Sequence, residues 1–171
     1  KNDTDGRNAF LVACQNNSDK VLSVLLEHSV KYSIDINKRD QKGMNGFLVA
    51  CQNNSDKVLS LLLEHSVKYS IDIDENDNDG RNAFLVSCKF NSDKVLSILL
   101  EKSVKYNIDL HKTNYYGSNG FILACFYNSY KVLQLMFANN DKYQLDFNAL
   151  TRGDGDTGFI LACQKKYKEA V

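Results

Sequence analysis

Acidic residues crowd the segment DENDNDG, which ends at Gly80. Oxygen ligands at alternate positions before a glycine are typical of an EF-hand calcium loop, which also needs a bidentate Glu six residues after that glycine. Counted from Gly80, the alternating ligands would be Glu75, Asp77 and Asp79, and the closing position falls on Val86. Valine offers no oxygen to calcium, so the spacing predicts no metal site.

The histidines and the last glycine-rich stretch also lack the pattern of a catalytic or phosphate-binding site. His28 and His65 occupy the same place in two copies of an internal repeat, and Lys102 stands there in the third copy. A shared ligand or base role is therefore not expected. The stretch GDGDTG from Gly153 lacks the Lys and Ser/Thr of a phosphate loop. We therefore predict no catalytic residue, no cofactor and no enzymatic activity.

The cysteines are copies of one position, because Cys14, Cys51, Cys88, Cys125 and Cys163 recur every 37 or 38 residues. If the copies stack, neighbouring cysteines lie about 8–10 Å apart, beyond the roughly 7 Å between Cα atoms that a disulfide allows. They are predicted to be small, buried and reduced residues. Reduced thiols fit an intracellular compartment, so a cytoplasmic location is expected, including the cytoplasm of a host cell into which the protein is delivered.

Composition and charge restrict the classes of partner. The chain has 171 residues, 43% of them hydrophobic, and its 21 Lys and Arg residues balance 21 Asp and Glu residues. Without a net positive charge there is no long-range attraction to nucleic acid or to an anionic membrane. No apolar run approaches the roughly 18 residues of a membrane span. The sequence therefore predicts binding to neither nucleic acid nor membrane.

The chain is organised as an internal repeat. The segments GRNAFLVACQNNSDKVLSVLLEHSVKYSIDI from Gly6 and GMNGFLVACQNNSDKVLSLLLEHSVKYSIDI from Gly43 differ at only three places. The same apolar frame returns after Gly80 and Gly117, and after one extra residue the pattern restarts at Gly155. Self-similarity at this period indicates a solenoid of stacked units.

Within one unit the apolar periodicity predicts two helices. NAFLVACQNN supplies a short first helix, and SDKVLSVLLEHSVKY supplies a longer second one with Asn17 or Ser18 as its N-cap. Val21, Leu22, Leu25 and Leu26 form the apolar stripe of that second helix. The alternating SIDIN and a polar turn containing glycine then lead to the next copy.

These motifs resemble the ankyrin repeat, which has a turn and two antiparallel helices. The family's Asp-x-x-Gly turn is similar to Asp3–Gly6, Asp40–Gly43 and Asp77–Gly80, with Asn114 in place of Asp in the fourth copy. Its TPLHLAA helix start is similar to NAFLVAC and to TGFILAC, and its EIVxxLL to KVLSVLL.

The resemblance implies an all-α, ankyrin-type helical solenoid with hairpin-like turns. This sequence departs from the family in having no proline and in carrying four extra residues, VKYS, after the second helix. We interpret them as an extra helical turn carrying Tyr32, Tyr69 and Tyr106. The chain is predicted to form a single domain over 1–171. Its repeats are expected at 3–39, 40–76, 77–113, 114–151 and, in part, 152–171, where KYKEAV ends within a second helix. Neither end has the polar face of a capping repeat, so we expect a piece of a longer protein.

The turns differ between copies whose helices are almost identical. NKRDQKGM in one turn carries Lys38, Arg39 and Lys42, whereas DENDNDGR in the next is acidic. A protein-binding face made of turn tips and first helices, implied by the resemblance, would vary in this way. The acidic tip would then attract a basic partner, although charged turns are also ordinary solvated surface.

Aromatic residues distinguish the third and fourth copies. The Gln–Asn pairs that end the first helix in copies one and two become Lys89–Phe90 and Phe126–Tyr127. Aromatic residues are enriched at binding hot spots, although packing against the long helices would explain them equally well. The predicted partner-binding residues are Asp77, Asp79, Arg81, Lys89, Phe90, Tyr115, Tyr116, Phe126 and Tyr127.

The sequence thus predicts a protein-interaction module that binds a protein or peptide on a concave face. Two other functions remain open. The chain would serve as the targeting arm of a larger enzyme or secreted effector if flanking domains carry an activity, or as a structural spacer if repeats stack end to end. The sequence does not fix the oligomeric state.

Overall fold

The computed structural model describes residues 3–152 and 155–164. Over these residues the chain forms short helices joined by turns. The helices are α1 (Ala9–Gln15), α2 (Asp19–Glu27), α3 (Gly46–Gln52), α4 (Asp56–His65), α5 (Ala83–Lys89), α6 (Asp93–Tyr106), α7 (Gly120–Phe126), α8 (Tyr130–Ala138), α9 (Asn140–Tyr143) and α10 (Gly158–Gln164).

The helices stack in two rows. The short first helices α1, α3, α5, α7 and α10 pack on one another in chain order, and the second helices α2, α4, α6 and α8 form the other row. Each of the first four first helices, α1, α3, α5 and α7, also packs against the second helix that follows it. Among the described residues the only bridge outside helices joins Leu150 and Thr157. The predicted all-α solenoid is confirmed.

A buried phenylalanine links each first helix to the next one. Phe10, Phe47, Phe84 and Phe121 are all at most 1% exposed. A Cβ atom added to Gly46, the first residue of α3, would lie 2.7 Å from the ring of Phe10. The phenylalanine of one repeat therefore occupies the space that a small residue leaves in the next.

A side-chain acceptor shapes each turn. Asp40 Oδ1 accepts hydrogen bonds from the backbone N–H groups of Lys42 and Met44, both at 2.9 Å. Gly43 completes this turn at φ +75°, a left-handed conformation that favours glycine. Asn114 Oδ1 makes the same two bonds at 3.0 and 2.9 Å, so the turn requires an acceptor oxygen and not a charge.

An asparagine caps each of the first four first helices. Asn8 Oδ1 accepts from the Leu11 N–H at 3.1 Å, and its Nδ2 donates to the Asp35 carbonyl at 2.7 Å. The same two bonds recur at each equivalent position: Asn45, Asn82 and Asn119. The cap thus also fixes the extended segment that follows the second helix.

The predicted N-cap position of the second helices is confirmed, but the capping hydrogen bond is absent. Ser18 occupies the N-cap position of α2, but its side chain makes no capping hydrogen bond. Asn17 is left-handed, with φ 52°, and its Oδ1 accepts from the Val58 N–H at 3.1 Å, in the second helix of the next repeat. The asparagine therefore connects repeats and does not cap its own helix.

The predicted apolar stripe of the second helix is only partly buried in α2. Leu22 and Leu26 are buried and Leu25 is half-buried, whereas Val21 is 53% exposed. The equivalent Val58 is fully buried because another second helix, α2, packs beside α4. Val21 lies in α2, which has a neighbouring second helix on one side only.

Among the first three copies, the extra helical turn is α-helical only in the third. α6 continues to Tyr106, whereas α2 and α4 end at Glu27 and His65 and are followed by turns. In each of the first three copies the segment ends at a residue with a left-handed backbone conformation. These residues are Ser33, Ser70 and Asn107. Asparagine tolerates that conformation better than serine, in line with the better-formed helix before Asn107.

Four cysteines lie in the core, as predicted, and the fifth does not. Cys14, Cys51, Cys88 and Cys125 are buried, whereas Cys163 in α10 is exposed. None of the five forms a disulfide within the described residues. Burial raises the pKa of the Cys51 thiol to about 12, against a smaller lowering by a hydrogen bond with Ser87. These side chains pack as small apolar groups.

Parts of the fifth copy lie outside the described residues. The segment KYKEAV, expected in a second helix, falls there, as do two residues of GDGDTG, 153 and 154. Among the helices of the described residues, none combines the length and the apolar character that crossing a bilayer requires.

Candidate functional site

The turn tips form a continuous ridge. The Gln41 N–H donates to the Asp5 carbonyl at 3.2 Å, and one repeat later the Asn78 N–H donates to the Lys42 carbonyl at 3.0 Å. In the next repeat the Tyr115 N–H donates to the Asp79 carbonyl at 3.0 Å. Because each tip is hydrogen-bonded to the previous one, the side chains between tips and first helices are held at a regular spacing.

A cavity of about 440 Å³ opens between this ridge and the first helices of the last three copies. Its apolar wall comes from α7 and α10, through Ile122, Leu123, Phe126 and Leu161. The polar side chains around it come mainly from the tips: Asp79, Arg81, Asn114, Tyr116, Ser118, Thr151, Arg152 and Asp156. Lys89 and Tyr127, at the ends of first helices, complete the lining. We call this cavity the aromatic groove.

The aromatic groove contains three of the predicted aromatic residues. Tyr116 is 65% exposed and Tyr127 is 44% exposed, whereas Phe126 is half-buried. The rings of Phe126 and Tyr127 meet edge to face, with centroids 5.0 Å apart. Such a pair presents a rigid apolar surface without being absorbed into the core.

Lys89 is held against this surface by cation–π contacts. Its Nζ lies 4.8 Å from the ring centroid of Tyr127 and 5.3 Å from that of Phe90. The rings stabilise the ammonium group but leave its charge unneutralised. Within residues 3–152 and 155–164, Lys89 forms no ion pair.

Asp77 is not a surface charge, contrary to the prediction. Its side chain is 1% exposed and lies 2.7 Å from the Arg81 guanidinium. Asp77 Oδ1 also accepts from the N–H groups of Asp79 and Arg81, both at 3.0 Å. The carboxylate therefore builds the turn. Asp79, whose side chain is 37% exposed, contacts the same guanidinium at 2.7 Å and remains at the groove edge.

The remaining acids do not form an isolated negative tip either. Glu75 pairs with Arg39 of the preceding turn, and the Arg39 guanidinium also donates to the Asn76 carbonyl. The basic and acidic tips are thus partly neutralised by each other, which removes the reason for expecting a basic partner. Val86, where an EF-hand would need its closing ligand, is fully buried in α5.

Two predicted residues lie outside the aromatic groove. Tyr115 is 69% exposed, and its ring lies over Gly80, where an added Cβ would approach it to 2.7 Å. Phe90 is the C-cap of α5 and is 40% exposed. Neither lines the cavity.

Arg152 was not among the residues predicted from the sequence. Its guanidinium Nη1 donates to the Tyr115 carbonyl at 3.2 Å, and its aliphatic part lies against Gly117. In the earlier tips, Gln41, Asn78 and Tyr115 hold the corresponding position against the glycine of the preceding turn. One extra residue before Gly155 obscured this correspondence in the sequence.

A smaller version of the groove exists two repeats earlier. This polar groove, about 140 Å³ in volume, lies between the first two tips. It is lined by Asp5, Arg7, Gln15, Asp40, Gln41, Lys42, Val49, Gln52 and Asn53. On the repeat register, Gln15 corresponds to Lys89. Lys42, Gln52 and Asn53 likewise correspond to Tyr116, Phe126 and Tyr127.

The comparison with protein families agrees with this architecture. Residues 1–71 match the family model described as ankyrin repeats (3 copies). Residues 1–71 belong to the ankyrin repeat family. No curated protein matches it.

Ankyrin repeats are generally protein–protein interaction modules. The matched residues contain the polar groove, and the aromatic groove lies beyond them in the same stack of repeats. The family match thus accounts for the scaffold around the polar groove.

Proposed function

We propose that this ankyrin repeat protein binds a short segment of a protein partner in the aromatic groove. The contacts would come from Tyr116, Phe126 and Tyr127, with Asp79, Arg81 and Lys89 around them. Phe90 and Tyr115 would contact a segment that extends beyond the cavity along the ridge.

The observation that carries the proposal is the difference between two equivalent grooves on one scaffold. Both lie between turn tips and first helices, yet one measures about 140 Å³ and the other about 440 Å³. The polar groove has Gln52 and Asn53 where the aromatic groove has Phe126 and Tyr127. Because the backbone framework is repeated, the aromatic lining at these positions is not required by the fold. Part of the larger volume comes from the fifth copy, which contributes Thr151, Arg152, Asp156 and Leu161 to the aromatic groove.

The physical chemistry of the lining suits a peptide. Ligand sites are concave, mainly apolar and supplied with a few placed polar groups. Tyr116 and Tyr127 would lose much of their exposed area on binding, and aromatic side chains bury large area at a low cost in rotamer entropy. The Tyr116 hydroxyl would hydrogen-bond to a peptide backbone.

The test is selection from a displayed library of random peptides, followed by affinity measurement on purified variants. The double variant Phe126→Gln, Tyr127→Asn carries the residues of the polar groove, which this scaffold already accommodates. We expect it to bind the selected peptides about 10–100-fold more weakly, in the range of hot-spot losses. Tyr32→Ala, which removes an exposed tyrosine outside the groove, is the matched control and should bind normally.

Two outcomes would contradict the proposal. If the double variant binds the selected peptides as tightly as the wild type but melts several degrees lower, the aromatic residues serve packing. If the library yields no peptide that binds, the groove is not a peptide site. A spacer function would instead appear as concentration-dependent mass in light scattering, unaffected by the double variant.

A further inference from the structure

We infer that the segment bound in the aromatic groove is acidic, with an Asp or Glu side chain beside the apolar residue that enters the cavity. The inference rests on the proposed function and adds the charge of the partner. It follows because two cations that line the groove form no ion pair with any carboxylate of the described residues.

The first cation is Lys89, which replaces a hydrogen-bond acceptor of the polar groove. There, Gln15 Oε1 accepts from Arg7 Nη1 at 2.7 Å. In the aromatic groove the corresponding pair is Lys89 and Arg81, two cations lining one cavity. A lysine has no acceptor, so the bond is lost and a second positive charge takes its place.

The charge of Arg81 is already balanced within the turn, and that of Lys89 is not. Arg81 contacts Asp77 and Asp79, both at 2.7 Å. Among the described residues, the aromatic faces within cation–π range of Lys89 are those of Tyr127 and Phe90. The ammonium keeps its N–H donors for solvent or for an incoming acceptor.

Arg152 is the second such cation. One of its N–H groups donates to the Tyr115 carbonyl, which fixes the side chain across Gly117. A guanidinium carries five N–H donors in a planar fork that fits a carboxylate. Asp156 lines the same cavity, but in the described part of the chain it lies beyond ion-pair distance of both Lys89 and Arg152.

An acidic side chain would therefore find charge complementarity on the groove edge while its neighbour occupies the aromatic wall. A basic segment would meet Lys89 and Arg152, and like charges across an interface oppose association. The neutralisation of Glu75 by Arg39 points the same way, because it weakens the attraction for a basic partner at the adjacent tip.

The experiment sequences the selected peptides and measures their binding to charge variants. Lys89→Gln restores the residue of the polar groove, and Arg152→Gln places there the residue that Gln41 supplies in the second tip. We expect Asp and Glu to be enriched at one peptide position. Each variant should weaken binding about tenfold, the scale of one charge-assisted hydrogen bond, and reduce its salt dependence. Lys42→Gln, which removes a lysine from the polar groove, is the control and should leave affinity unchanged.

The inference and the proposed function fail separately. Peptides that lose affinity in the Phe126→Gln, Tyr127→Asn variant, but carry no acidic position and bind Lys89→Gln and Arg152→Gln normally, would overturn the inference and leave the groove a peptide site. If replacing the acidic residue by phosphoserine tightened binding more than tenfold, the anion would be a phosphate and the carboxylate assignment would be wrong. Peptides indifferent to all four substitutions would overturn both.

Discussion

Asn54 Oδ1 accepts a hydrogen bond from the backbone N–H of Val95 at 3.1 Å. A residue that follows the first helix of one repeat therefore caps the second helix of the next repeat. Asn17 does the same for Val58, and Asn91 for Val132. Since the first N–H groups of a helix lack partners within it, these asparagines join the repeats where each second helix begins.

Replacing Asn54 should therefore lower stability in two separable steps. Asn54→Gly keeps the left-handed conformation, φ 54°, and removes the bonds to Val95 and Asp93. We expect a loss of about 1–2 kcal/mol. Asn54→Ala adds the cost of the left-handed conformation, about 1 kcal/mol more. Urea unfolding measures both, with exposed Asn16→Ala as a control expected within about 0.5 kcal/mol of wild type. Equal stabilities for Asn54→Gly and wild type would show that the cap contributes nothing.

Asp77 should behave as a structural residue. Asp77→Ala leaves Arg81 and the N–H groups of Asp79 and Arg81 without their acceptor, at a cost of about 2–4 kcal/mol. Asp77→Asn should cost less than half of that, because Asn114 makes the same turn without a charge. Thermal or urea unfolding of the two variants tests this. An Asp77→Ala protein of wild-type stability with weakened peptide binding would restore Asp77 as a contact residue.

The contrast between Asp77 and Asp79 illustrates what the sequence could not provide. Both are acids in a polar turn, and only the hydrogen bonds of the folded turn separate the buried carboxylate from the half-exposed one. The aromatic lining was predictable, because Phe126 and Tyr127 replace Gln and Asn at a repeated position. Arg152 was not, because an inserted residue shifts the register just before the last turn. The role of the left-handed asparagines could not be predicted either, because their hydrogen-bond partners lie in another repeat.

Replacing Gly120 by a larger residue should destabilise the protein. A Cβ atom there would lie 2.4 Å from the Phe84 ring, and 3.0 Å from the Cys88 sulfur. Alanine is the better helix former by up to about 1 kcal/mol, but overpacking costs about 1–3 kcal/mol and should outweigh this gain. We expect Gly120→Ala to melt below wild type in calorimetry. Ala83→Gly, at the equivalent position of the third copy, creates no clash and serves for comparison. A more stable Gly120→Ala protein would mean that the Phe84 ring moves aside freely.

The thiols should divide into one reactive and four protected groups. Cys163 is exposed, whereas Cys14, Cys51, Cys88 and Cys125 are buried. Burial raises the pKa of Cys125 to about 11 and that of Cys51 to about 12. A disulfide reagent at pH 8 should therefore label one thiol quickly and four only on unfolding. Two or more fast thiols in the native protein would contradict the packing described.

The same shifts predict a loss of stability in alkali. Each raised pKa favours the neutral thiol in the folded state, so its contribution is complete below the unfolded value of about 8.5. It declines as the pH rises toward the folded pKa, because the unfolded chain releases its protons first. The free energy of unfolding should fall above about pH 9. Cys51→Ala should reduce that slope by up to about 1.4 kcal/mol per pH unit. An unchanged slope would show that the Cys51 thiol is not protected.

The most direct test of a binding site in the aromatic groove is a nuclear magnetic resonance titration of the isotope-labelled protein with a library-selected peptide. We predict that the shifted amide signals will cluster at Lys89, Tyr116, Phe126, Tyr127 and Leu161. The polar groove, represented by Gln15 and Gln52, should stay unperturbed and provides an internal control on the same scaffold. Shifts confined to the polar groove or to the second helices, with the aromatic groove unchanged, would contradict the account.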